Sequence, residues 1–482
     1  MQSSALEHIA AKARISTVPP TGRWTLTCLA LSMLLSSLGI SIANVALPSL
    51  AKAFDSSFQH VQWVVLAYLL AVTIVIVTAG RLGDLMGHRR VLIGGISVFT
   101  VASALCGMVP SLWLLIAARV LQGLGAAVLM ALSVAFVRET VAKENTGSAM
   151  GLLGTMSAIG TALGPSLGGL LLALVNWRAI FLVMVPLGAL NLFLAYRFLP
   201  ASKPVGTARG FDSLGTLLLS LTLAAYALAA TVGGGTHMGW LNIALLAAVV
   251  AGAGLFMVVE AKAASPLIHA SVFRDASLRG NLAMNALVST VMMATFVVGP
   301  FYLAHALGLN AAFVGMAMSV GPVISTLTGI PAGRIVDRFG ASRVIVVGLT
   351  LMTAGAFLLA LVPATFGVAG YVTGIAILTP GYQLFQAANN TAVMADVEPD
   401  RRGVVSGMLS LSRNLGLITG ASVMGAVFAR FAGAMDGAAV DVRGVTVGMH
   451  VTFAVAGTLT LAAIVVSYRA RGDAASAASA IE

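Results

Sequence analysis

The chain has 482 residues, of which 59% are hydrophobic and 9% are charged, and its mean hydropathy is +0.99. Soluble proteins carry about a quarter charged residues, so this composition excludes a set of soluble domains and indicates an all-α polytopic membrane protein. In a soluble chain, the net charge of +11 would suggest binding to nucleic acid. Here the placement of the charges explains the net charge without such a partner. Cys28 and Cys106 lie in apolar runs and predict neither a disulfide framework nor a metal site.

Apolar segments recur along the whole chain between short polar loops. A helix needs about twenty apolar residues to cross a bilayer. We therefore predict fourteen transmembrane helices, numbered 1 to 14 in chain order, with the lipid bilayer as their surroundings. The predicted helices lie near residues 24–47, 60–80, 91–109, 112–136, 148–173, 178–198, 212–231, 240–260, 280–303, 311–333, 344–362, 367–391, 403–429 and 448–468.

Lysines and arginines concentrate in every second loop. If both termini are cytoplasmic, 21 of the 27 Lys and Arg residues fall on the cytoplasmic side. This asymmetry follows the positive-inside rule. We therefore expect a multi-pass protein of the cytoplasmic (inner) membrane with both termini cytoplasmic. Two cations, Arg119 and Arg413, fall within helices, and those left outside are Lys52, Arg178, Arg430 and Arg443.

Two similar loops occupy corresponding places. GRLGDLMGHRR joins predicted helices 2 and 3, and GRIVDRFGASR joins helices 10 and 11. We expect tight turns, because glycine permits a sharp reversal and close helix approach, and aspartate accepts hydrogen bonds from arginines or a helix N-terminus. A solvated basic loop is the alternative, but duplication favours a repeated conformational element. The candidate residues are Gly80, Arg81, Asp84, Gly87, Arg90, Gly333, Arg334, Asp337, Arg338, Gly340 and Arg343.

Helix 4 contains an isolated positive charge. Arg119 stands in an apolar run and is followed by Gln122 and Gly123. A charge at this depth must be paired or hydrated. Hydrogen bonding to backbone carbonyls and a role as a charge in a cavity are the two alternatives, and they apply equally to Arg413 in helix 13.

Helix 5 carries glycines at a spacing of four residues. Such residues share one face and let another helix pack closely. A proline within the same stretch removes a backbone donor and can kink the helix. Ordinary tight packing is the alternative to a hinge or seal. The residues concerned are Gly160, Gly164, Pro165, Gly168 and Gly169.

Helix 12 is rich in amides, which are costly in lipid and should therefore face protein or a watery cavity. The methionine pair Met292 and Met293 on helix 9 offers adaptable apolar surface. Together with polar residues of other helices, this set would suit a partly apolar organic ligand. Hydrogen bonding between helices is the alternative for any one residue. The candidate cavity residues are Ser41, Asn44, Tyr68, Asn285, Tyr382, Gln383, Gln386, Asn389 and Arg413, with Asn281 and Asn390 beside them.

These motifs together resemble the major facilitator superfamily, in which two six-helix halves are parallel repeats. The resemblance rests on the duplicated loop, the RxxQG pattern at Arg119, the glycine–proline motif of helix 5 and the end of helix 1 at Asn44–Pro48. With fourteen predicted helices, the chain resembles the drug:proton antiporter branch of that superfamily (EmrB/QacA-type). The resemblance implies two six-helix bundles at 1–205 and 275–482, with two inserted helices at 206–274. It also implies proton coupling or charge relay through Arg119, Gln122 and Gly123, and a hinge or seal in helix 5.

The function implied is secondary active efflux of a small organic compound, such as a drug, an antibiotic or a toxic metabolite, by proton antiport with alternating access. Uptake or facilitated passage of a metabolite on the same scaffold is the alternative. The sequence offers no catalytic set, paired metal ligands or phosphate loop. We therefore expect no enzyme, cofactor or metal, and the expected partners are the substrate, protons and lipid, with any outer component unspecified.

One departure from the family concerns the proton and the ligand charge. The drug:proton branch often has an acid in helix 1 where this chain has Gly39, and none of the sixteen acids falls at mid-membrane. We therefore expect a neutral, zwitterionic or anionic ligand, bound with help from Arg119 and Arg413. The titratable groups that remain as candidates are His60, His305, His450, Glu139 and Asp84.

Overall fold

The computed structural model describes residues 20–140, 146–200, 213–231, 240–262, 276–361, 364–395, 402–432 and 441–479. These residues are helical apart from short turns, as a chain in lipid requires, because each backbone polar group must then be paired within its own segment. The first six helices are α1 (Pro20–Ala53), α2 (Phe58–Met86), α3 (His88–Met108), α4 (Leu112–Thr140), α5 (Thr146–Leu174) and α6 (Ala179–Leu182 and Met184–Phe198).

The remaining helices follow in the order that the sequence predicts. Two of them, α9 and α13, contain π-helical turns at Tyr302–Ala306 and Gly420–Met424. They are α7 (Ser213–Thr231), α8 (Trp240–Lys262), α9 (Ala276–Phe301, then the π turn), α10 (Ala311–Phe339), α11 (Ala341–Leu361), α12 (Gly367–Ala395), α13 (Arg402–Thr419 and Gly425–Ala432, joined by the π turn) and α14 (Val442–Ser479).

The number of membrane spans differs from the predicted fourteen. Twelve of the described helices are long and apolar enough to cross a membrane. Neither α7 nor α12 meets that criterion. The helix α12 has 29 residues, but its tyrosine, glutamines and asparagines interrupt the apolar run. Within α7, Leu217–Ala229 forms an apolar helix that is shorter than this criterion requires. The fourteen-span prediction is therefore not supported.

The helices form two packed groups, which we call the first half (α1–α6) and the second half (α9–α14). Within each group neighbouring helices pack along much of their length, as α1 does on α5 and α11 on α12. The two groups meet where α5 packs on α10, α1 on α9 and α2 on α13. The helix α7 packs on α2, α8 and the π turn of α13, and the Tyr226 hydroxyl donates to Thr419 Oγ1 at 2.8 Å. The helix α7 therefore lies over the seam between α2 and α13.

The duplicated loops form matching turns. Gly87 and Gly340 have φ angles of 90° and 81°, a backbone conformation that favours glycine. The N–H of Gly87 donates to Gly83 O at 2.8 Å, and that of Gly340 donates to Val336 O at 2.9 Å. We call the end of the bundle that carries these two turns the repeat end, and the opposite end the far end.

The other loop residues do not all have the expected roles. A Cβ at Gly80 or Gly333 would meet no atom within 4 Å, so these two glycines are not sites of close helix approach. Close approach falls instead to Gly83, where a Cβ would come within 2.7 Å of Leu132. The side chains of Arg81, Asp84 and Glu139 lie outside the described part of the structure, and the exposed loop side chains are Arg90, Arg334, Asp337, Arg338 and Arg343.

Candidate functional site

Arg119 lies in a closed pocket inside the first group of helices. It is completely buried. Its Nε donates to the Val64 carbonyl at 2.8 Å, and its Nη1 donates to Gln122 Oε1. Gln122 Nε2 in turn donates to Ser103 Oγ at 2.8 Å. These contacts join α2, α3 and α4, so the arginine rests on protein groups of its own half.

An aromatic ring covers the guanidinium of Arg119. Its central carbon lies 4.2 Å from the centre of the Tyr68 ring and 5.8 Å from that of Phe181, within the range of cation–π attraction. Gly123 permits this arrangement, since a Cβ there would come within 2.6 Å of the Tyr68 carbonyl. The three residues of the RxxQG pattern therefore act together to dock α4 on α2.

Gly39 faces the other side of this pocket. A Cβ at Gly39 would lie 2.9 Å from the Tyr68 hydroxyl, and that hydroxyl donates to the Ser36 carbonyl at 2.9 Å. The space beside the position where the family often has an acid is therefore filled by Tyr68. No described carboxylate contacts Arg119, and its Nη2 has no hydrogen-bond partner among the described residues.

The glycine stripe of α5 faces two different partners. A Cβ at Gly160, Gly164 or Gly168 would meet atoms of α1, the nearest at 2.0–2.6 Å. These three glycines therefore pack inside their own half and do not lie between the halves. Gly169 faces the other half, since its Cβ would come within 2.7 Å of the Gly315 Cα, and a Cβ at Gly315 would come within 2.6 Å of the Pro165 carbonyl.

Further contacts between the halves lie at the far end. Gln62 Nε2 on α2 donates to the Ala421 carbonyl at 2.9 Å. This carbonyl belongs to the π turn of α13, where the helical hydrogen-bond pattern is altered and such turns often mark functional sites. Gln62 is buried, so the bond forms a clasp shielded from solvent.

An aromatic cluster adjoins this clasp. The Phe58 ring lies 4.6 Å from the Phe301 ring and 5.3 Å from the Phe428 ring, measured between ring centres. All three are nearly fully buried, and they come from α2, α9 and α13. His305, in the π turn after α9, stacks on Phe301 at 5.7 Å. The far end is therefore closed by packed rings from both halves.

A cavity of about 460 Å³ lies between the halves. This is the size of a pocket for a small organic ligand. Tyr371 and Met318 border it toward the far end, where the tyrosine hydroxyl lies 3.2 Å from the methionine sulfur. Among the described lining residues, those of the first half all come from α5 and are Gly154, Ser157, Ala158 and Thr161.

The polar lining comes mostly from α12 and α13. Gln383 Nε2 lies 3.2 Å from the Ser325 carbonyl, which ties α12 to α10. Gln386, Asn390 and Arg413 also line a second, smaller pocket of about 310 Å³, so the two spaces adjoin at these residues. The residues predicted for the cavity that line one of these two spaces are Asn285, Tyr382, Gln383, Gln386, Asn390, Met292 and Arg413.

Other predicted cavity residues lie elsewhere. Ser41 donates to the Gly160 carbonyl at 3.1 Å, and Asn44 donates to the Ile40 carbonyl at 3.0 Å, so both belong to the packing of α1. Tyr68 covers Arg119. Asn389 is fully buried, and its amide has no partner among the described residues. These four residues are not among those that line either of the two spaces.

The sequence reasoning missed the residues that close the far end. The π turns, Gln62 and the three phenylalanines were not singled out, because an apolar residue near a helix end looks the same whether it faces lipid or a partner ring. Gly315 and Ser325 were also missed. The sequence offers one signal for Gly315, because small residues are spaced on α10 as they are around Gly169 on α5.

The comparisons with known proteins agree with this architecture. The family profile described as Major Facilitator Superfamily matches residues 29–421 and 282–481. The riboflavin transporter RibZ of Clostridioides difficile is 31% identical over 412 residues, covering 85% of this chain and 89% of that protein. The multidrug resistance protein Stp of Mycobacterium tuberculosis is 33% identical over 410 residues, covering 84% of this chain and 75% of that protein.

A solved structure shows the same fold at low sequence identity. A bacterial homologue of the human lysosomal transporter Spinster, in an inward-facing and unoccupied conformation, superimposes with a TM-score of 0.66 at 14% identity, covering 94% of this chain and 98% of that one. The profile covers most of the chain, and the relatives match it over most of their own length. The chain therefore belongs to the Major Facilitator Superfamily of transporters.

Proposed function

We propose that this protein exports a small organic compound, such as a drug, an antibiotic or a toxic metabolite, by alternating access coupled to proton antiport. The observation that carries the proposal is the cavity between the halves, which is closed at the far end by Gly169–Gly315, the Gln62 clasp and the phenylalanine cluster. Such a cavity, sealed on one side by contacts that can separate, is what alternating access requires.

The relatives support export of organic compounds. One is a multidrug resistance protein and another, 28% identical over 418 residues, is the multidrug efflux pump LfrA of Mycolicibacterium smegmatis. The lining of the cavity supports the same conclusion, because methionine and aromatic surface with a few amides accommodates varied organic ligands. The riboflavin transporter among the relatives keeps passage of a metabolite as the second candidate.

The proposed topology places the repeat end in the cytoplasm. In this proposed topology the basic loops and the two termini are cytoplasmic, as the positive-inside rule requires. In this arrangement α7 and α12 also cross the membrane, which gives fourteen spans, and the chain divides into halves at 1–205 and 275–482 with the pair at 206–274 inserted. In this orientation the cavity faces the cytoplasm, and an exported compound enters it from the cytoplasmic side of the inner membrane.

The proton in this proposal is not carried by a carboxylate of the cavity. None of the described residues that line either space is acidic. His305 is the sequence candidate that lies nearest to a seal, since its Nδ1 is 3.2 Å from the Phe301 carbonyl and its ring stacks on Phe301. We therefore propose His305 as the first group to test for coupling.

The test is transport into inside-out membrane vesicles with an imposed pH gradient. Ethidium, riboflavin and 2-naphthoate serve as a cationic, a neutral and an anionic compound, and collapse of the gradient serves as the control. Accumulation of at least one compound that needs the gradient and this protein supports proton-coupled export. Accumulation only in right-side-out vesicles would replace export with uptake, and gradient-independent equilibration would replace coupling with facilitated passage.

A further inference from the structure

The cavity contains an arginine that the structure leaves open to it. Arg413 is exposed, whereas its neighbours Ser412 and Asn414 are 8% and 9% exposed. It stands eleven residues after the start of α13, about 16 Å along the helix. A charge at such depth is stable when it faces water or an opposite charge.

Among the described residues, the surroundings of Arg413 supply no opposite charge. Of the described residues that line the cavity or the smaller pocket, none has a carboxylate, and Arg413 is the sole cation. A cleft with one sign of charge and low-dielectric walls concentrates ligands of the other sign. The guanidinium also offers paired donors that match a carboxylate, sulfonate or phosphate.

This arginine differs sharply from Arg119. Arg119 is fully buried, and its donors contact Val64 and Gln122 of its own half. It is therefore not available to a ligand in the cavity. Of the two membrane arginines, Arg413 alone is placed to meet the ligand.

The two adjoining spaces have different chemistry. The larger one is bordered by apolar side chains, including Phe296, Met318 and Leu378. The smaller pocket is lined largely by polar side chains. Gln386, Asn390 and Arg413 stand where the two spaces adjoin, and the smaller pocket adds Asn285 and Ser410.

Resting on the proposed function, we propose that the transported compounds are amphipathic organic anions. The anionic group binds Arg413 at the junction, with the amides of the smaller pocket around it, and the apolar body lies in the larger cavity. Recognition is supplied by the second half, because the described lining residues of the first half are the small α5 side chains Ser157, Ala158 and Thr161 beside Gly154.

The test compares three probes that share one apolar body. Purified full-length protein in phosphatidylcholine nanodiscs is titrated with 2-naphthoate, 2-naphthamide and 2-naphthylmethylammonium, and binding is measured by equilibrium dialysis against protein-free nanodiscs. We expect naphthoate to bind about tenfold more tightly than naphthamide, the gain of one charge-assisted contact. The ammonium compound should bind most weakly.

Substitutions assign the preference to Arg413. In Arg413→Gln, naphthoate should bind no better than naphthamide, while naphthamide binding stays within about twofold of the wild type. Arg413→Lys keeps the charge without the paired donors and should retain part of the preference. Arg430→Gln is the matched control, since Arg430 is an exposed arginine near the end of the same helix, and it should leave all three affinities unchanged.

Several results would overturn the proposal. They are tightest binding by the ammonium probe, no saturable binding of naphthoate, or an equal loss of naphthoate and naphthamide affinity in both Arg413 variants. Should Arg413→Gln fail to fold, an unchanged naphthoate preference in Arg413→Lys and in a folded Arg413→His would count against it equally. Binding needs no gradient, so a failure of naphthoate to bind overturns the anion proposal and leaves the proposed export standing. Binding of naphthoate without accumulation in vesicles overturns the proposed export and leaves the anion proposal standing.

Discussion

The Tyr68 ring lies 4.2 Å from the guanidinium carbon of Arg119 and separates it from Gly39. In the drug:proton branch that the sequence resembles, an acid often stands at the position of Gly39. Here the tyrosine hydroxyl bonds to the Ser36 carbonyl at 2.9 Å, and the ring covers the charge. The arginine is therefore a packed element of one half, held by amide, carbonyl and ring contacts.

Introduction of the missing acid tests this arrangement. Gly39→Asp places a Cβ 2.9 Å from the Tyr68 hydroxyl, so we expect a lower unfolding temperature in detergent. In the background Tyr68→Ser, the new carboxylate has room to approach Arg119, and the two changes should couple favourably by about 1–2 kcal/mol. Strictly additive effects of the two substitutions would contradict the view that Tyr68 occupies the acid's place.

Removal of the arginine should damage stability without changing ligand affinity. Arg119→Met leaves the Gln122 Oε1 and the Val64 carbonyl without their buried donor, at a cost of about 2–4 kcal/mol. Thermal unfolding measures the loss. In the milder variant Arg119→Lys, the affinity for 2-naphthoate should stay within about twofold of the wild type. A tenfold drop in affinity with unchanged stability would place Arg119 in the binding site.

The contact between Gly169 and Gly315 should control closure of the far end. Gly169→Val wedges α5 from α10, so we expect a new population with a wider far end. Spin labels at His60→Cys and Arg430→Cys, both exposed and on different halves, report the distance by double electron–electron resonance. Gly160→Val is the control, because it presses on α1 of the same half. Identical spin-label distance distributions in the two valine variants would show that Gly169 does not form the seal.

The Gln62 clasp should contribute to the same closure. Gln62→Glu keeps the side-chain shape but removes the N–H that donates to the Ala421 carbonyl. Loss of a buried hydrogen bond costs about 1–3 kcal/mol, so the same spin labels should show more of the wide population. Gln59→Glu, one turn earlier on α2, adds the same charge at a less buried position and should leave the distribution unchanged. A matching shift in both variants would mean that charge alone causes it.

Much of the architecture could be predicted from the sequence, because apolar length and loop chemistry are local properties. The short break between α3 and α4 and the two matched turns at Gly87 and Gly340 are confirmed. The number of spans was not supported, since the amides of α12 that suggested a cavity also lower its apolar content.

The roles of the two arginines could not be separated from the sequence. Each stands alone in an apolar helix, and helical periodicity shows which residues share a face but not which helix they meet. Only the tertiary packing places Arg119 under Tyr68 and leaves Arg413 open to the cavity. The same limit explains why Ser41 and Asn44 were assigned to the cavity although they pack within the first half.

The central claim is that the transported compound passes through the cavity between the halves. A Cβ at Gly154 meets no atom within 4 Å, and this residue lines the cavity, so Gly154→Trp fills the space without a clash of its Cβ. A Cβ at the exposed Gly94 likewise meets no atom within 4 Å, which makes Gly94→Trp the matched control.

Gradient-driven accumulation in inside-out vesicles, corrected for the amount of folded protein, is the most direct measurement. We predict that Gly154→Trp abolishes accumulation of the transported compound and that Gly94→Trp retains it. Undiminished transport by Gly154→Trp, with normal folding, would contradict the assignment of this cavity as the transport path.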